Sequence, residues 1–192
     1  MVKQFTLLLL FVFILFGFTK STFVANTTFE STGEDSVFNG YPIPKDDHML
    51  FYIQKSFNQN TVVYCINHNE KGQIDANNPV NVFWRRYQED GRKRDLTQIE
   101  KTFGYGVKAK PLKTKPNTYI FSIAAIKDKQ FIVTQTDDLK PHVITTIDNK
   151  TAIIKRVFIK AEHIKLLPKV FYIEVFGNDI KTKKPVYERI YP

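Results

Sequence analysis

The sequence predicts a mainly β domain, an antiparallel β-sandwich or barrel-like sandwich of about ten strands with one short helix. Residues 22–192 contain 46 valine, isoleucine and threonine residues against 14 alanine, leucine and methionine residues. Strands favour β-branched side chains, whereas helices favour alanine, leucine and methionine. Apolar segments also follow one another at short intervals, separated by Gly, Asn and Asp, which is typical of antiparallel β folds.

The first 21 residues predict a secretory signal peptide. Lys3 precedes an apolar run of 14 residues, 5–18, which only one threonine and one glycine interrupt. A membrane span needs about 20 apolar residues, so this run has instead the length of a signal-peptide core. Thr19 and Ser21 are small enough for cleavage after Ser21, and an uncleaved anchor is the alternative. We therefore expect an exported protein, periplasmic or extracellular, that meets the membrane only through its transient signal peptide.

The remainder divides into a flexible lead-in, residues 22–46, and a single β domain, residues 47–192. The lead-in is rich in Ser, Thr, Asn, Asp, Gly and Pro and has little apolar pattern. Removal of the signal peptide takes away two lysines and no acid, which lowers the formal net charge from +9 to +7. Exported proteins usually pair their cysteines, but Cys65 is the only cysteine of this chain. Its β-branched and aromatic neighbours predict a buried, unreactive thiol.

Strand patterns begin at Met49. Residues 49–57 and 61–68 predict a hairpin, and a strand at 79–87 follows after a polar loop. This third strand carries apolar side chains on both faces, with Trp84 on one face and Phe83 on the other. We therefore expect it to be central in its sheet, or to be covered by the helix or a loop.

One short helix is predicted at residues 96–103. Asp95 or Thr97 is suited to cap its N-terminus, and glycines follow its last residue, where a helix must stop. Apolar residues recur in it at helical spacing, namely Leu96, Ile99 and Phe103.

Seven further strand-like segments follow the helix. They are residues 105–113, 118–126, 130–136, 141–147, 150–162, 169–177 and 185–191. Asp148-Asn149 predicts a tight hairpin turn between two of them. A second turn is predicted at residues 176–179 and the lysine-rich residues that follow.

The densest unusual stretch holds the only tryptophan, two consecutive arginines inside an otherwise apolar strand, and the acid of the predicted helix. A buried arginine must be paired, because an isolated buried charge costs several kcal/mol. We expect Arg85 or Arg86 to meet an acid such as Glu100 or Glu174. That pair either pins the helix to the sheet or belongs to an anion-binding pocket walled by the tryptophan and Tyr105. The candidate ligand-binding residues are Trp84, Arg85, Arg86, Tyr87, Glu100 and Tyr105.

No catalytic or metal-binding pattern occurs in the sequence. The four histidines lack the close spacing of a zinc site, and no serine stands in a nucleophile elbow. No phosphate loop or dinucleotide fingerprint is present. The acids Glu89 and Asp90 lie in a turn-like segment, where solvated acids are common. We therefore expect no catalytic residue, no metal and no cofactor.

Lysine accounts for most of the positive charge, with 22 residues against 6 arginines. Two basic series would form a patch for anionic polymers or lipid head groups. They are Lys108, Lys110, Lys113 and Lys115, and then Lys155, Arg156, Lys160, Lys165 and Lys169. AT-rich coding and the protection of sheet edges by lysine explain the same abundance without a partner. The export signal argues against a nucleic-acid partner.

The segment NPVNVFWRRYQEDGRKRDLTQIEKTFGYGVK, residues 78–108, resembles the signature of the family called domain of unknown function 4833. Its parts are a Trp-containing strand, a basic turn, a Leu-x-x-Ile-Glu helix and a Tyr-Gly exit. Residues 140–161 and 168–190 resemble the closing strands of the family, so that the resemblance covers residues 45–191. It implies a secreted bacterial protein with one compact domain, and it brings no established activity or catalytic residues. Gly104 departs from the alanine expected before Tyr-Gly.

These observations leave three hypotheses for the function. The leading one is an exported, non-enzymatic β domain that binds a ligand or partner of the cell envelope. The second is an enzyme of unrecognised type with a pocket around Arg86, Glu100 and Tyr105, and finding these residues buried and mutually paired would remove its support. The third is a basic surface protein that holds anionic polysaccharide or lipid through its lysines.

Overall fold

The structure, a computed structural model, describes residues 37–136, 139–164 and 167–192. The expected signal peptide and the first part of the expected lead-in, residues 22–36, lie outside the described residues. Thirteen strands and one helix, α1 (Gln98–Phe103), are present in the described ranges. The strands are β1 (Val37–Phe38), β2 (Tyr41–Pro42), β3 (Met49–Lys55), β4 (Asn58–Ile66), β5 (Val80–Arg85), β6 (Lys93–Asp95), β7 (Val107–Pro111), β8 (Thr118–Ile123), β9 (Ile126–Thr136), β10 (Leu139–Ile147), β11 (Lys150–Ile164), β12 (Leu167–Asp179) and β13 (Pro185–Ile190).

One mixed sheet contains eleven of these strands. Its order is β6-β5-β4-β3-β11-β10-β9-β8-β7, and β12 pairs with both β11 and β13. Neighbouring strands are antiparallel except β3 and β11, which run parallel. The sheet is curled into a half-barrel. A mainly β fold with one short helix is therefore confirmed, whereas the expected antiparallel sandwich or barrel-like sandwich of about ten strands is corrected to a mixed, half-closed sheet.

The length of β11, which is 15 residues, explains this architecture. On one edge, residues 150–153 pair with β10, and residues 156–159 pair with β3. The other edge pairs with β12 along nearly its whole length. The sheet therefore divides beyond β11 into two halves that share one hydrophobic core. Sequence patterns indicate hairpins between consecutive strands, and they hold no signal for a parallel pair formed by strands so far apart in the chain.

A stack of aromatic rings forms the centre of this core. Phe51 lies parallel to Tyr64 with ring centroids 4.4 Å apart, and its other neighbour in the stack is Phe131 at 6.0 Å. Phe121 continues the stack at 5.3 Å from Phe131. All four side chains are at most 1 % exposed. Residues from both halves of the sheet are thus joined in one packed interior.

A smaller cluster covers the opposite face of β4 and β5. It consists of Val63, Cys65 and Phe83, with Met49 packed against it. The expectation of a buried thiol is confirmed, and burial, followed by the nearby Asp46 carboxylate, raises the pKa of Cys65 to about 12. β5 carries buried side chains on both faces, Phe83 and Trp84, but it is second from the edge of the sheet, between β4 and the three-residue β6, rather than central.

Three predicted hairpins are present, and the one between β12 and β13 turns at residues 180–184 rather than at 176–179, because residues 176–178 still pair with β13. Asp148 and Asn149 connect β10 to β11 with φ angles of 47° and 60°, which is the left-handed conformation that a type I′ turn requires. The strands β3 and β4 also form a hairpin, but its turn lies at Ser56-Phe57 rather than at residues 58–60. Ser56 and Phe57 thereby come to lie beside the site described below.

The predicted helix is held by its cap. Thr97 is the N-cap, and its hydroxyl accepts a hydrogen bond from the Glu100 backbone while the Glu100 carboxylate accepts one from the Thr97 backbone. Leu96 is buried, whereas Ile99 and Phe103 are 73 % and 76 % exposed. The helix begins at Gln98 rather than at Leu96, and none of its own residues is buried, so the spacing of these apolar residues does not mark a core-facing stripe.

Thr97→Ala is expected to destabilise the protein by about 1 kcal/mol, since it removes the hydroxyl that accepts from the Glu100 amide. Urea unfolding followed by the fluorescence of Trp84 measures this loss. Thr102→Ala, in the same helix, is the control, because the exposed Thr102 hydroxyl exchanges hydrogen bonds only with Gln98, donating to its carbonyl and accepting from its Nε2 group. Equal losses in the two variants would contradict a specific role for the cap.

The last residues of the expected lead-in are packed against the sheet. β1 and β2 pair as a two-stranded sheet, and the Gln54 Nε2 group donates to the Pro42 carbonyl at 2.7 Å. Asp46 forms an ion pair with Arg85. These contacts place the start of the packed domain before residue 47.

Candidate functional site

Glu100 joins α1 to the sheet at the predicted site. The Trp84 Nε1 group donates to Glu100 Oε1 at 3.1 Å, and Arg94 Nη2 donates to the same oxygen at 2.7 Å. The Thr97 amide donates to Oε2 at 2.7 Å. The Tyr105 ring meets the Trp84 ring edge-on, with centroids 5.2 Å apart and planes at 80°. Three of the predicted residues, Trp84, Glu100 and Tyr105, are therefore brought together.

A buried lysine lies against the same aromatic rings. Lys55, at the end of β3, is only 8 % exposed. Its Nζ atom is 4.2 Å from the Trp84 ring centroid, 4.6 Å from that of Phe57 and 5.6 Å from that of Tyr105. Such contacts attract an ammonium group to the face of a ring. Among the described residues, no carboxylate forms an ion pair with Lys55.

The surroundings of Lys55 oppose its charge. Burial lowers the pKa of Lys55 to about 8, and the charge of Glu100 raises it less than burial lowers it. The nearby guanidinium groups of Arg86 and Arg94 lower it further. Burial raises the pKa of the Glu100 carboxyl, but the hydrogen bonds from Arg94 and Thr97 outweigh burial and leave that pKa below its ordinary value. Glu100 is therefore ionised, and its negative charge offsets only part of the effect of burial on the Lys55 pKa.

Lys55, Arg86 and Arg94 together form what we call the basic cluster. Arg86 forms an ion pair with Glu89, and Arg94 forms one with Glu100. The Nε atoms of both arginines are nevertheless buried without a hydrogen-bond partner in the part of the chain that the structure describes. The two side chains are 29 % and 33 % exposed. The cluster thus has hydrogen-bond donors that the protein leaves unused and a partly open rim.

Arg85 and Tyr87 lie on the opposite face of β5 from the basic cluster. Arg85 Nε donates to Asp46 Oδ2 at 3.0 Å, and its guanidinium lies 5.7 Å from the Phe83 ring centroid. The hydrogen bond from Arg85 to Asp46 raises the pKa of that arginine. Burial and the charge of Asp46 raise the pKa of Tyr87, while Arg85 lowers it. These two residues support the fold around Asp46 and do not line the site of Trp84.

The predicted partners of the arginines are corrected. Neither arginine meets Glu100 or Glu174, because Arg85 pairs with Asp46 and Arg86 with Glu89. The physical expectation that a strand arginine requires an acid is confirmed. The identity of that acid depends on Asp46, from the end of the expected lead-in, and on Glu89 in a turn three residues from Arg86, neither of which follows from strand alternation.

Three residues of the site were not predicted from the sequence, namely Lys55, Phe57 and Arg94. A signal for Lys55 is present, since Phe51 and Ile53 point into the core and Lys55 continues their alternation. A lysine in register with core residues indicates a buried cation. Arg94 stands opposite Trp84 in the β5–β6 pairing, and this register is not readable from the polar turn that precedes it.

The second basic series is not a continuous surface patch. Arg156 is only 5 % exposed, and its Nε donates to Gln54 Oε1 at 2.8 Å. Lys155 and Lys160 are exposed on either side of it, whereas Lys165 lies outside the described residues. Burial of the arginine therefore removes the central charge from the expected series.

The part of the chain that the structure describes contains neither a metal-binding group nor a membrane-spanning helix. No three His, Cys, Asp or Glu residues of that part are grouped so that they could hold a metal ion. Within the same part, no helix has the length and apolar character of a membrane span.

Comparison with family models finds one whose description is Domain of unknown function (DUF4833), matched by residues 51–189. The chain belongs to this family. The resemblance noted in the sequence is thereby confirmed, and the DUF4833 match begins within β3 and ends within β13, so that it includes the whole basic cluster. No curated protein and no solved structure matches the chain.

Proposed function

We propose that this DUF4833 protein is an exported, non-enzymatic binding module of the cell envelope, and that the basic cluster holds an anionic group of its ligand beside Trp84 and Tyr105. The observation that carries the proposal is the buried ammonium of Lys55, which has aromatic neighbours and, in the described part of the chain, no carboxylate in an ion pair with it. Export rests on the signal-peptide pattern of residues 1–21.

A buried charge without a partner costs free energy, and proteins retain such groups where function requires them. Contacts with the rings of Phe57, Trp84 and Tyr105 offset part of this cost. A carboxylate or phosphate group of a ligand would offset the rest of this cost, because its oxygens accept hydrogen bonds from ammonium and guanidinium groups. The partly exposed side chains of Arg86 and Arg94 support the same interpretation.

The contacts of Glu100 and Tyr105 argue against the enzyme hypothesis. Both oxygens of Glu100 already accept hydrogen bonds from Trp84, Arg94 and Thr97. Burial, together with the charge of Glu100, raises the pKa of Tyr105, so its hydroxyl keeps its proton at neutral pH. Glu100 and Tyr105 therefore serve as structural supports of a binding site, and neither is poised for proton transfer.

Titration of the purified full chain with inorganic phosphate tests the proposal. Trp84 is the only tryptophan, and we expect its emission to change saturably as phosphate binds to the basic cluster. The affinity is expected to fall about 10-fold when NaCl is raised from about 50 to about 500 mM, since the partly exposed arginines are screened. Arg86→Gln is expected to weaken binding about 10-fold, which corresponds to about 1.4 kcal/mol.

Lys181→Met is the matched control, because Lys181 is an exposed lysine in the turn between β12 and β13. We expect this variant to bind phosphate as the unmodified chain does. If neither phosphate nor a dicarboxylate such as succinate changes the Trp84 emission at low ionic strength, the proposed function is wrong.

A further inference from the structure

An open cleft of about 400 Å³ lies beside the basic cluster, a volume within the range of small-molecule sites. It runs between the β1–β2 turn and the β3–β4 turn. The residues that give it its character are Asn39, Tyr41, Phe57, Asn58, Gln59 and Gln88. Among the described residues, no lining side chain is charged; four of these six are carboxamides, and two, Tyr41 and Phe57, are aromatic.

The two turns that form the cleft are fixed to each other. The Tyr41 hydroxyl donates to the Ser56 carbonyl at 3.2 Å, and Gln59 Nε2 donates to the Gly40 carbonyl at 3.3 Å. Ser56 Oγ in turn donates to the Ala161 carbonyl at 2.6 Å, which anchors the β3–β4 turn to β11. The cleft is therefore built before any ligand arrives, and little conformational entropy is lost on binding.

Three of the carboxamide side chains form a hydrogen bond within the protein through only one of their two polar atoms, the oxygen or the nitrogen. Asn58 Oδ1 accepts from the Asn60 amide, Gln88 Oε1 accepts from Asn60 Nδ2, and Gln59 donates through Nε2. Asn58 Nδ2, Gln88 Nε2 and Gln59 Oε1 have no hydrogen-bond partner among the described residues. The cleft thus presents neighbouring donors and acceptors with no net charge.

We propose that this cleft binds a sugar ring, and that the ligand of the basic cluster is therefore an acidic saccharide; the second clause rests on the proposed function. Sugar hydroxyls both donate and accept, which matches the mixed ends of the carboxamides. The C–H groups of a pyranose are apolar, and they match the edges of the aromatic side chains that line the cleft, Tyr41 and Phe57. A purely apolar ligand would leave the carboxamides of the cleft without hydrogen-bond partners.

Phe57 connects the two parts of the site. Its side chain lines the cleft, and its ring centroid is 4.6 Å from Lys55 Nζ. A sugar in the cleft would therefore lie one side chain away from Lys55, and a carboxylate or phosphate substituent on it would extend toward the basic cluster. The ligand class follows from this adjacency of a neutral polar cleft and a cationic cluster.

Three probes separate the two parts of the site: trigalacturonic acid, the neutral trisaccharide maltotriose, and inorganic phosphate. Each is titrated into the full chain while the heat of binding and the Trp84 emission are recorded. We expect trigalacturonic acid to bind about 10-fold more tightly than phosphate, because it makes the additional contacts of the cleft. Gln88→Ala and Gln59→Ala are expected to lower the trigalacturonate affinity about 10-fold and to leave the phosphate affinity unchanged.

Gln73→Ala is the control, since Gln73 is an exposed carboxamide outside the cleft. If phosphate binds but trigalacturonate binds no more tightly, or if the cleft variants do not change its affinity, the saccharide inference is overturned and the proposed anion site stands. If maltotriose binds while phosphate does not, the cleft remains a sugar site and the acidic ligand is overturned. If none of the three binds, both proposals are wrong.

Discussion

Lys55→Met is expected to stabilise the protein by about 1–2 kcal/mol at pH 7 and to abolish phosphate binding. The fall of the Lys55 pKa from 10.5 to about 8 means that the folded protein disfavours the charged form of this lysine by about 3 kcal/mol. Contacts with three aromatic rings offset about 1–2 kcal/mol of this destabilisation. Methionine keeps the unbranched shape of the side chain and needs no solvation of a charge. Urea unfolding measures the gain, and phosphate titration measures the loss.

The stability gained by Lys55→Met should decrease as the pH is raised. Below about pH 8 both the folded and the unfolded chain carry the Lys55 charge, so the unmodified protein bears the whole cost. Between about pH 8 and 10.5 the folded state has lost this proton while the unfolded state keeps it, and stability rises with pH. The difference in free energy of unfolding between the unmodified protein and Lys55→Met therefore becomes smaller between about pH 8 and 10.5. The comparison of two variants cancels the opposite effect of Cys65, whose raised pKa lowers stability above about pH 9.

Lys181→Met is again the control, and its stability should not change. A Lys55→Met variant that is less stable at pH 7 and still binds phosphate would falsify the functional interpretation of the buried ammonium. That result would show that the cation serves only to pack against Trp84 and its neighbours.

Gly106→Ala is expected to destabilise the protein by about 1–3 kcal/mol or more and to disrupt the site. A Cβ atom at this position would lie 2.0 Å from the Lys101 carbonyl oxygen, which is backbone. The segment has no room to shift, because the Gly106 carbonyl accepts from the Ala124 amide at 3.1 Å. The Tyr105 carbonyl accepts from the buried Tyr64 hydroxyl at 2.9 Å. The clash between the new Cβ atom and the Lys101 carbonyl oxygen can therefore be relieved only if α1 or Tyr105 moves.

Gly104→Ala is the matched control two residues away. Its Cβ would lie 3.1 Å from the Glu100 carbonyl oxygen, and its φ of −118° is open to alanine. We expect a loss below about 1 kcal/mol and unchanged phosphate binding. This agrees with the alanine that the family resemblance led us to expect at position 104. Gly106→Ala with undiminished stability and phosphate affinity would show that α1 and Tyr105 are not fixed as described.

Features set by neighbouring residues were predictable. Asp148-Asn149 tolerates positive φ, and this preference marks a hairpin turn wherever the flanking strands lie. Thr97 and Glu100 stand three residues apart, which is the spacing of a capping box. The apolar neighbours of Cys65 indicated burial on both faces of its strand. In each case the physical cause acts within a few residues.

The candidate site was predictable only in part. Trp84, Glu100 and Tyr105 were grouped correctly, because the strand, the turn and the helix that carry them are consecutive. Arg85 was assigned to the same group, although one step along a strand places it on the other face with Asp46. The role of Glu100 as an anchor for Arg94 also depends on the register of β5 and β6.

The sequence by itself determined a β domain with one capped helix, its hairpin turns, its buried thiol and its membership of a recognisable family, since composition and short-range spacing control these properties. The tertiary structure alone decided the parallel pairing of β3 and β11, the burial of Lys55 beneath three aromatic rings, and the cleft between two turns. These features join residues that are distant along the chain. Local propensities do not encode such contacts, because their free energy arises only when the curled sheet has closed around its core.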